Sequence, residues 1–470
     1  MAADFSIISQ NATIRGLVQQ NMLQRALHDA LYPKMLFRMG VIPQVWAANA
    51  GDSQLFSAPG LMTPNQKPTV PGIDPLPRVY TAEQWQAQAQ QYSDTIDTNM
   101  PDSIVAIADL FLRNAQQLGL LAAQTMNRIV RNRRYNAAMS GWTVTDGAQV
   151  AVTTLAVKRL NGFTTARNPT TAGASQVSFS PVSSVNPLAI SIFDTTLAYV
   201  SRNVIGFTPT NVGDTSGPGT LTLSAAVTVD DRKPVYSVDR TAIVRVSGGD
   251  SVESITPASL PKLASIRSAL AIMRTNSVPE QADGSFHSHM DPVSEALIFA
   301  DPEFQRLHTA LPSEFTYQEF SISRILGSVF FRNNECPVAS TVNGGDTASY
   351  SDTDPFGGEL FSNGLITGTP VHRILFSGAG SVTEYYNDLG NLMTEAGIPG
   401  RVGEPTITNN GILVMSDRIQ LLIRQPLNRL MDLVSTSWKF IGDWPVRTDA
   451  ATGSRSRYKR EMCIEHGEPT

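Results

Sequence analysis

Two histidines in one short stretch are the first residues to consider for chemistry. His287 and His289 are separated by one residue, and Asp291 follows closely. Alternate side chains of a strand share a face, so the two imidazoles would lie side by side. They could bind a metal with Asp291, but no third and fourth ligands stand at a motif spacing. We predict a packed or interface pair of histidines and no metal site, with titration at about pH 6 as a weaker alternative.

Two further segments have residue types that occur in binding sites. One is an acidic, glycine-containing loop over residues 346–359, whose spacing does not fit the calcium loop of an EF-hand. Its acidic residues are Asp346, Asp352, Asp354 and Glu359. The other is residues 377–380 (SGAG), which match neither a GxGxxG loop nor a GxSxG nucleophile elbow. We predict a solvated loop, a strand-to-helix turn, no catalytic residue and no cofactor.

Composition excludes several function classes. The 470 residues suffice for two or three domains, and the net charge is −5, whereas proteins that grip nucleic acid are usually basic. Charged residues make up 16% of the chain, against about 25% in ordinary soluble domains. Neighbouring subunits that cover the surface, or a β-rich domain with Ser/Thr surfaces, would explain this. Cys336 and Cys463 stand in no motif, which predicts two small buried side chains.

Targeting signals are not evident in the sequence. No apolar run approaches the roughly 18 residues of a membrane span. Residues 1–5 have no basic segment or long apolar core, so we expect no secretory signal and folding in a cytoplasm.

The first hundred residues predict a helix and then a long extended excursion. Apolar residues at helical spacing indicate an amphipathic helix over residues 12–39. Residues 41–46 are typical of a strand, and six prolines between residues 59 and 77 exclude a helix or a central strand there. Residues 78–98 form a second extended arm. A hairpin-like loop of this length makes sense when another subunit supports it.

The clearest predicted element is a long helix over residues 101–140. Pro101 suits its first turn, Gly141 suits its end, and an apolar stripe runs along it. At 1.5 Å per residue it would be roughly 60 Å long. Basic residues cluster near its end and in the tail, where helix capping and inter-subunit ion pairs are favoured over contact with DNA. They are Arg128, Arg131, Arg133, Arg134, Arg455, Arg457, Lys459 and Arg460.

The rest of the chain predicts a β region followed by mixed elements. Residues 142–255 alternate in short runs separated by glycine turns, including a run over 241–246. Thr256 and Pro257 suit the start of a helix ending near residue 275. A strand over 371–376, a helix over 381–396, and a strand–turn–strand tail over 438–465 follow.

This order of elements resembles the Hong Kong 97-type major capsid fold. Residues 283–292 (DGSFHSHMDP), continuing into 299–304 (FADPEF), are similar to a pattern in podophage coat proteins of the N-four type. Residues 322–337 (ISRILGSVFFRNNECP) resemble a strand–glycine–strand stretch of these families. The first segment departs from the pattern by its two histidines, where one histidine or an apolar strand is usual.

The resemblance implies an α+β fold with an N-arm, an extended loop, a long spine helix, and peripheral and axial domains, plus an inserted all-β domain. The expected boundaries are 1–40 for the N-arm, 41–100 for the extended loop, 101–141 for the spine helix of the peripheral domain, 142–256 for the inserted β domain, 257–437 for the peripheral and axial α/β domain, and 438–470 for the C-terminal peripheral-domain strands.

The resemblance also implies a function. We expect a major capsid protein, not an enzyme, that assembles as hexamers and pentamers into an icosahedral virion shell around phage dsDNA in the host bacterial cytoplasm. Its partners would be identical subunits, a portal, a decoration protein and, weakly and non-specifically, the packaged dsDNA, without a membrane. The first helix begins at residue 12, so we expect a separate scaffolding protein. The alternatives are a β-rich phage tail or surface adhesin protein and, less favoured, a hydrolase.

Side chains of the N-arm and extended loop are the expected inter-subunit contacts, because buried aromatic residues carry most interface energy. The predicted contact residues are Trp46, Leu55, Phe56, Leu61, Trp85, Tyr92, Leu17 and Leu23. Some capsids of this fold cross-link a loop lysine to an asparagine of a neighbour with help from a buried glutamate. Lys67 is the only lysine of this loop, and no partner is identifiable, so we expect no cross-link.

Overall fold

The computed structural model describes most of the chain. The described residues are 36–46, 51, 53–59, 66, 68, 72, 74, 82–99, 107–168, 178–212, 217–238, 240–250, 252–309, 324–338, 369–387, 406–408, 411–416, 418–424, 433–446 and 460–469. The predicted helix over residues 12–39 lies outside these ranges apart from its last residues, where Leu36–Arg38 form a 3-10 turn. Helices and strands are both present, and strands predominate.

The described helices and strands are the following, in chain order. The helices are α1 (Ile107–Ala138), α2 (Leu263–Thr275), α3 (Pro292–Phe299) and α4 (Pro302–Thr309). The first twelve strands are β1 (Ile42–Trp46), β2 (Ser53–Pro59), β3 (Ala82–Gln88), β4 (Gln90–Asn99), β5 (Trp142–Val144), β6 (Gln149–Val157), β7 (Thr165–Asn168), β8 (Ser178–Pro181), β9 (Leu188–Phe193), β10 (Tyr199–Pro209), β11 (Gly219–Val229) and β12 (Pro234–Ser237). The others are β13 (Ile243–Arg245), β14 (Phe286–Met290), β15 (Arg324–Ile325), β16 (Ser328–Arg332), β17 (Val371–Ser377), β18 (Thr383–Asn387), β19 (Thr406–Thr408), β20 (Gly411–Ser416), β21 (Ile419–Arg424), β22 (Leu433–Asp443) and β23 (Glu461–Gly467).

The long helix is confirmed as α1, with 32 residues and a length of about 48 Å. Three residues of its predicted apolar stripe, Leu118, Ala122 and Met126, are fully buried. The predicted stop is also confirmed, because Gly141 has a φ of +78° and a Cβ there would lie 2.8 Å from the backbone of Arg240. That conformation and that approach both require glycine.

The first of two compact units comprises Met1–Leu55, Gln86–Arg131 and Val382–Pro445. Its seven-stranded sheet has the order β1-β18-β22-β21-β20-β19, and β4 also pairs with β22. The predicted strand over 41–46 is confirmed as β1, which pairs in parallel with β18 at the sheet edge. Buried Trp438 and Phe440 of β22 alternate with partly exposed residues, as expected for a strand with one covered face.

The predicted helix over residues 381–396 is wrong where the chain is described. Residues 383–387 form strand β18, paired with β1 and β22. Its sequence, TEYYN, has a β-branched residue and two aromatic residues, which favour a pleated, half-buried surface. Residues 388–396 lie outside the described part.

The second unit comprises Phe56–Trp85, Asn132–Ser381 and Val446–Thr470. One of its sheets has the order β13-β23-β17-β14-β16-β15, so the last strand of the chain, β23, lies between β13 and β17. The predicted strand over 371–376 is confirmed as β17. Both strands of the predicted tail are present, but β22 and β23 belong to different sheets.

The start of helix α2 differs from the prediction. The N-cap is Lys262, and Thr256 instead bonds with Ser259 through backbone and side-chain atoms. Pro261 explains the difference, because it disfavours helical backbone at the preceding residue, Leu260. The predicted apolar stripe from Leu263 to Met273 is buried against the sheet.

Strands β7 and β8 pair with each other, and the other six strands between residues 142 and 237 form a sheet of the second unit with the order β5-β12-β9-β10-β11-β6. All its pairs are antiparallel. One face has its own hydrophobic cluster, in which Ile190, Ile192 and Leu221 are fully or almost fully buried. The predicted strand over 241–246 is present as β13, but it pairs in parallel with β23 and so belongs to another sheet.

Replacing Ile192 by alanine tests whether this cluster stabilises the chain. We expect I192A to lower the free energy of unfolding by about 2–5 kcal/mol, because it leaves a cavity at a side chain that is 0% exposed. V150A, on β6 where the residue is 77% exposed, is the control and should change the free energy by less than about 0.5 kcal/mol. Urea denaturation followed by circular dichroism measures both. Equal midpoints for I192A and V150A would contradict a packed core here.

Candidate functional site

Strands β2 and β3 form a two-stranded ribbon. Within the described part of the chain, they pair only with each other. This agrees with the predicted hairpin-like loop, whose arms flank a proline-rich segment. A lone two-stranded ribbon is marginally stable in water. The ribbon therefore depends on contacts beyond its own pairing.

The predicted inter-subunit contacts differ in their surroundings. Trp46 is only 5% exposed, contacts the ring of Tyr385 edge-on at 6.4 Å, and donates its indole N–H to the Gly51 carbonyl. Tyr92 is half-buried, with its ring 5.6 Å from that of Trp444. Both are thus at least partly covered by their own chain, and their role between subunits stays a prediction.

The remaining predicted contacts are less informative. Phe56, on β2, is half-buried. Leu17, Leu23 and Leu61 lie outside the described residues, as do the side chains of Leu55 and Trp85, which belong to the ribbon strands. Nothing in the structure tests these six residues as contacts between subunits.

Strand β1 presents apolar side chains to solvent. Ile42 is 46% exposed and Val45 is 52% exposed, on the strand at one edge of the seven-stranded sheet. The chain is anchored nearby by Arg38, which donates two hydrogen bonds to Glu384 at 2.6–2.7 Å. The charge of Arg38, assisted by Arg418, holds the pKa of Glu384 below its ordinary value, although burial alone raises it. An exposed, well-anchored edge strand is open to pairing with another chain.

A layer of charged residues lies on one face of the sheet that contains β23. Glu465 accepts hydrogen bonds from Arg245 at 2.9 Å and from Arg373 at 3.0 Å. Four residues earlier on the same strand, Glu461 lies 3.7 Å from Arg134 of α1. All five side chains are buried. The strand therefore bridges β13, β17 and α1 by charge.

Burial and pairing act in opposite directions on these groups. Burial alone raises the pKa of Glu465, but the charges of Arg245 and Arg373 outweigh it and hold the pKa below its ordinary value. Burial lowers the pKa of Arg134, against the charge of Glu461. The Glu465 carboxylate thus stays ionised because the two arginines are there.

The end of α1 is joined to this face by further contacts within the second unit. Arg134 donates to the hydroxyl of Ser377 at 3.3 Å, and the Tyr135 hydroxyl donates to the Arg373 carbonyl at 3.3 Å. Burial raises the pKa of Tyr135 well above its ordinary value, with a smaller contribution from Cys336. Tyr135 is therefore a neutral hydrogen-bond donor at this junction. Arg134 is thus an internal ion-pair residue, which differs from the expected helix cap or ion pair between subunits.

His287 and His289 share one face of β14, as predicted. Their rings lie 5.1 and 5.5 Å from that of Phe331. His289 is fully buried, and burial lowers its pKa well below the ordinary value, while His287 lies 3.2 Å from Asp283. Asp291 faces neither histidine: it caps α3 by accepting from the Ser294 N–H and contacts His372 at 2.8 Å.

A second histidine pair was not predicted. His372 and His466 stack with ring centroids 5.4 Å apart and an angle of 12°, on the face opposite the charged layer. Each is the only histidine of its strand, so only the pairing of β17 with β23, which places them in register, brings them together. The spacing of the two histidines along the chain does not indicate this pairing.

Other expectations concern cysteines and ligands. Cys336 and Cys463 are both buried thiols, as predicted. The acidic loop over 346–359, Lys67, Arg455, Arg457 and Lys459 lie outside the described residues. Among the described residues, no three His, Cys, Asp or Glu side chains are grouped as a metal site. None of the described helices is both long and apolar enough to cross a membrane.

Comparisons with known proteins give structural similarities only. No family model matches the chain, and no curated protein matches it. The capsid of Ralstonia phage GP4 is similar at 11% identity and a TM-score of 0.46, over 91% of this chain and 87% of that chain. The capsid of Cyanophage P-SCSP1u is similar at 10% identity and a TM-score of 0.46, over 92% of this chain and 88% of that chain. The capsid of Cyanophage Pam1 is similar at 8% identity and a TM-score of 0.47, over 94% of this chain and 93% of that chain. Similarities at this level assign no function to this chain.

Replacing Glu465 by glutamine tests the charged layer. We expect E465Q to lower the free energy of unfolding by about 3–5 kcal/mol, because two buried arginines lose their counter-charge. E280Q is the matched control, since Glu280 pairs at 3.7 Å with Arg274 and both side chains are well exposed. It should change the free energy by less than about 1 kcal/mol. Guanidinium denaturation at pH 7 measures both, and similar losses in E465Q and E280Q would contradict this role of Glu465.

Proposed function

We propose that this chain is the major capsid protein of a tailed bacteriophage, with a Hong Kong 97-type fold closest to N-four-type podophage coat proteins. In this function it assembles as hexamers and pentamers into the icosahedral shell that encloses the dsDNA genome. The order of described elements supports the proposal: the ribbon of β2 and β3 precedes the long helix α1, and mixed sheets follow. The resemblance implies the same order, from extended loop to spine helix to peripheral and axial domains.

The observation that carries the proposal is the ribbon. Its strands pair only with each other in the described part of the chain, and the segment between them contains prolines at residues 64, 68, 71, 75 and 77. Proline restricts the free loop, so less conformational entropy is lost when the loop docks. A neighbouring subunit that receives this ribbon provides the support that a two-stranded sheet lacks.

Two further features fit a shell subunit. The exposed edge of β1 offers backbone hydrogen-bonding groups beside Ile42 and Val45, a suitable contact for another copy. The net charge of −5 suits a container whose DNA must later leave, because tight electrostatic binding of the genome would oppose its release. Contacts with the packaged DNA are therefore weak and non-specific in this proposal.

Residues 142–256 are an inserted β domain in this proposal. Support comes from the six-stranded sheet over 142–237, which has its own hydrophobic cluster. The chain enters that sheet directly from the end of α1, after Gly141. The proposed partners are a separate scaffolding protein, a portal and a decoration protein, and assembly takes place in the host cytoplasm.

Assembly is the direct test of this proposal. We expect closed, uniform particles when the chain is expressed in a bacterial host with the scaffolding protein of the same phage, because sister copies cover the ribbon. Negative-stain electron microscopy and sedimentation of the lysate measure this, with and without the scaffolding protein. Trimeric fibres would instead favour the adhesin alternative, and a folded monomer at high concentration under both conditions would contradict the proposal.

A ribbon variant separates assembly from folding. Replacing residues 60–81 by Asn-Gly deletes the segment between β2 and β3 and leaves the residues of both strands unchanged. We expect this chain to fold, as judged by circular dichroism, and to form no closed particles. The control is the same Asn-Gly replacement of residues 212–216, between the paired strands β10 and β11, which should leave assembly intact. Normal shells from this variant would exclude residues 60–81 as a required contact between subunits.

A further inference from the structure

A buried polar cluster joins the start of α3 to the C-terminal strand. It lies within the second unit, on the sheet face opposite the charged layer. It consists of Asp291, Ser294, His372, His466 and Glu468. The first two belong to the cap and first turn of α3, His372 to β17, and the last two to β23 and the residue that follows it. All but Glu468 are nearly or fully buried.

The contacts form a continuous chain. His372 Nδ1 lies 2.8 Å from Asp291 Oδ2, and its Nε2 lies 3.2 Å from Glu468. His466 Nε2 lies 2.7 Å from the hydroxyl of Ser294, and its Nδ1 lies 2.9 Å from the carbonyl oxygen of Gly467. The Ser294 hydroxyl also contacts Asp291 Oδ1. The two rings are nearly parallel.

Only one proton decides between two hydrogen-bond arrangements. A carbonyl oxygen only accepts, so Nδ1 of His466 carries a proton. When His466 is neutral, its Nε2 is an acceptor, and it shares the single hydroxyl proton of Ser294 with Asp291 Oδ1. When His466 is protonated, its Nε2 donates to Ser294, and the hydroxyl turns to Asp291. The protonated arrangement, however, stacks a second cation on His372 inside a buried site.

The neutral arrangement is favoured in the folded chain. Burial lowers the pKa of His466 to about 4, and the nearby His372 acts in the same direction. The pKa of His372 is raised, because its bonds to Asp291 and Glu468 outweigh the effect of burial. The pKa of Asp291 is lowered by His372 and Ser294, although burial alone raises it. His372 therefore takes up a proton at a higher pH than His466, and His466 is uncharged at neutral pH.

Other charged groups near the cluster are themselves paired or neutral. Glu295, on the first turn of α3, is buried and lies 3.2 Å from Arg332 of β16. Tyr135 of α1, which interacts electrostatically with Asp291, has a pKa well above its ordinary value and stays neutral. Protonation of His466 is therefore the change by which acid places a second positive charge in this site.

We propose that the stacked His372–His466 pair, with Asp291 and Ser294, is an acid-sensitive latch that holds the start of α3 on the C-terminal end of β23. Protonation of His466 places two imidazolium rings face to face and opens this contact. The inference concerns the single chain and does not depend on the coat-protein function.

The sign of the pH dependence follows from the pKa of His466. An unfolded histidine titrates at about pH 6.5, and the folded His466 at about 4. Between these values the unfolded chain binds a proton that the folded chain does not, so stability falls as pH falls through this window. Below about pH 4 both states are protonated, and the contribution is constant.

The variant H466Q tests the latch, because glutamine can keep a hydrogen bond to Ser294 but cannot take up a proton. Unfolding of the full-length chain in urea is measured from pH 7 to pH 4. On acidification, the unfolding equilibrium constant of the wild type should rise on the order of a hundredfold more than that of H466Q. H287Q is the matched control, since His287 lies on the opposite face, and it should follow the wild type.

Hydrogen exchange locates the opening. At pH 4, relative to pH 7 and after correction for intrinsic exchange rates, peptides covering α3 and β23 should lose protection in the wild type and not in H466Q. Equal pH dependence of wild type and H466Q, or unchanged protection of both segments, would overturn the proposal.

The variant H372Q provides a second test of the latch, which can be carried out even if H466Q does not fold. Removing the stacked cation makes His466 easier to protonate in the folded chain. The acid-dependent loss of stability should then level off at a higher pH than in the wild type. A levelling point unchanged from that of the wild type would contradict a coupling between the two rings.

Discussion

Two buried carboxylates on the last strand constrain the second unit more than any other interaction. Glu461 and Glu465 have no access to solvent, and an ionised carboxylate in such a place is costly unless it is paired. Their partners come from three elements that are far apart in the chain: Arg134 from α1, Arg245 from β13 and Arg373 from β17. The pairs form only when β23 has entered the sheet in the correct register. The order of this sheet and the position of the helix end are therefore fixed together.

The strands of this sheet alternate between two different environments. On β23, Met462 and Ile464 face the apolar cluster with α2 and α3, whereas the glutamates face the end of α1. A one-residue slip would exchange the two sets, burying charge against the apolar helices and apolar side chains against arginines. Such a slip is far more costly here than in a sheet with two similar faces. The charged layer thus specifies register, and the apolar face supplies most of the burial.

The elements that the sequence predicted well are those with a local signal. The apolar stripe of α1 and the run of β-branched and aromatic residues in β17 each identify their element from within a single window. The start of α2 was predicted at Pro257, but Pro261 disfavours helical backbone at the residue before it, so the helix begins after Pro261. Strand β18 follows a glycine turn after which a helix was predicted. Its pairing with β1 and β22 makes this segment a strand instead. The segment EMCIEHG can be predicted as a strand, but the strands with which it pairs cannot be predicted from the sequence.

The polar clusters could not be predicted, because each depends on pairing between distant strands. His372 and His466 are 94 positions apart and meet through the register of β17 and β23, where each stands directly opposite the other. The same register sets Arg373 opposite Glu465, so one pairing creates an ion pair on one face and a stacked histidine pair on the other. The contacts made by the adjacent residues Glu465 and His466 therefore both weaken in acid. Acid removes the charge of Glu465 and adds one to His466, and both changes weaken the contacts of β23 with its neighbours.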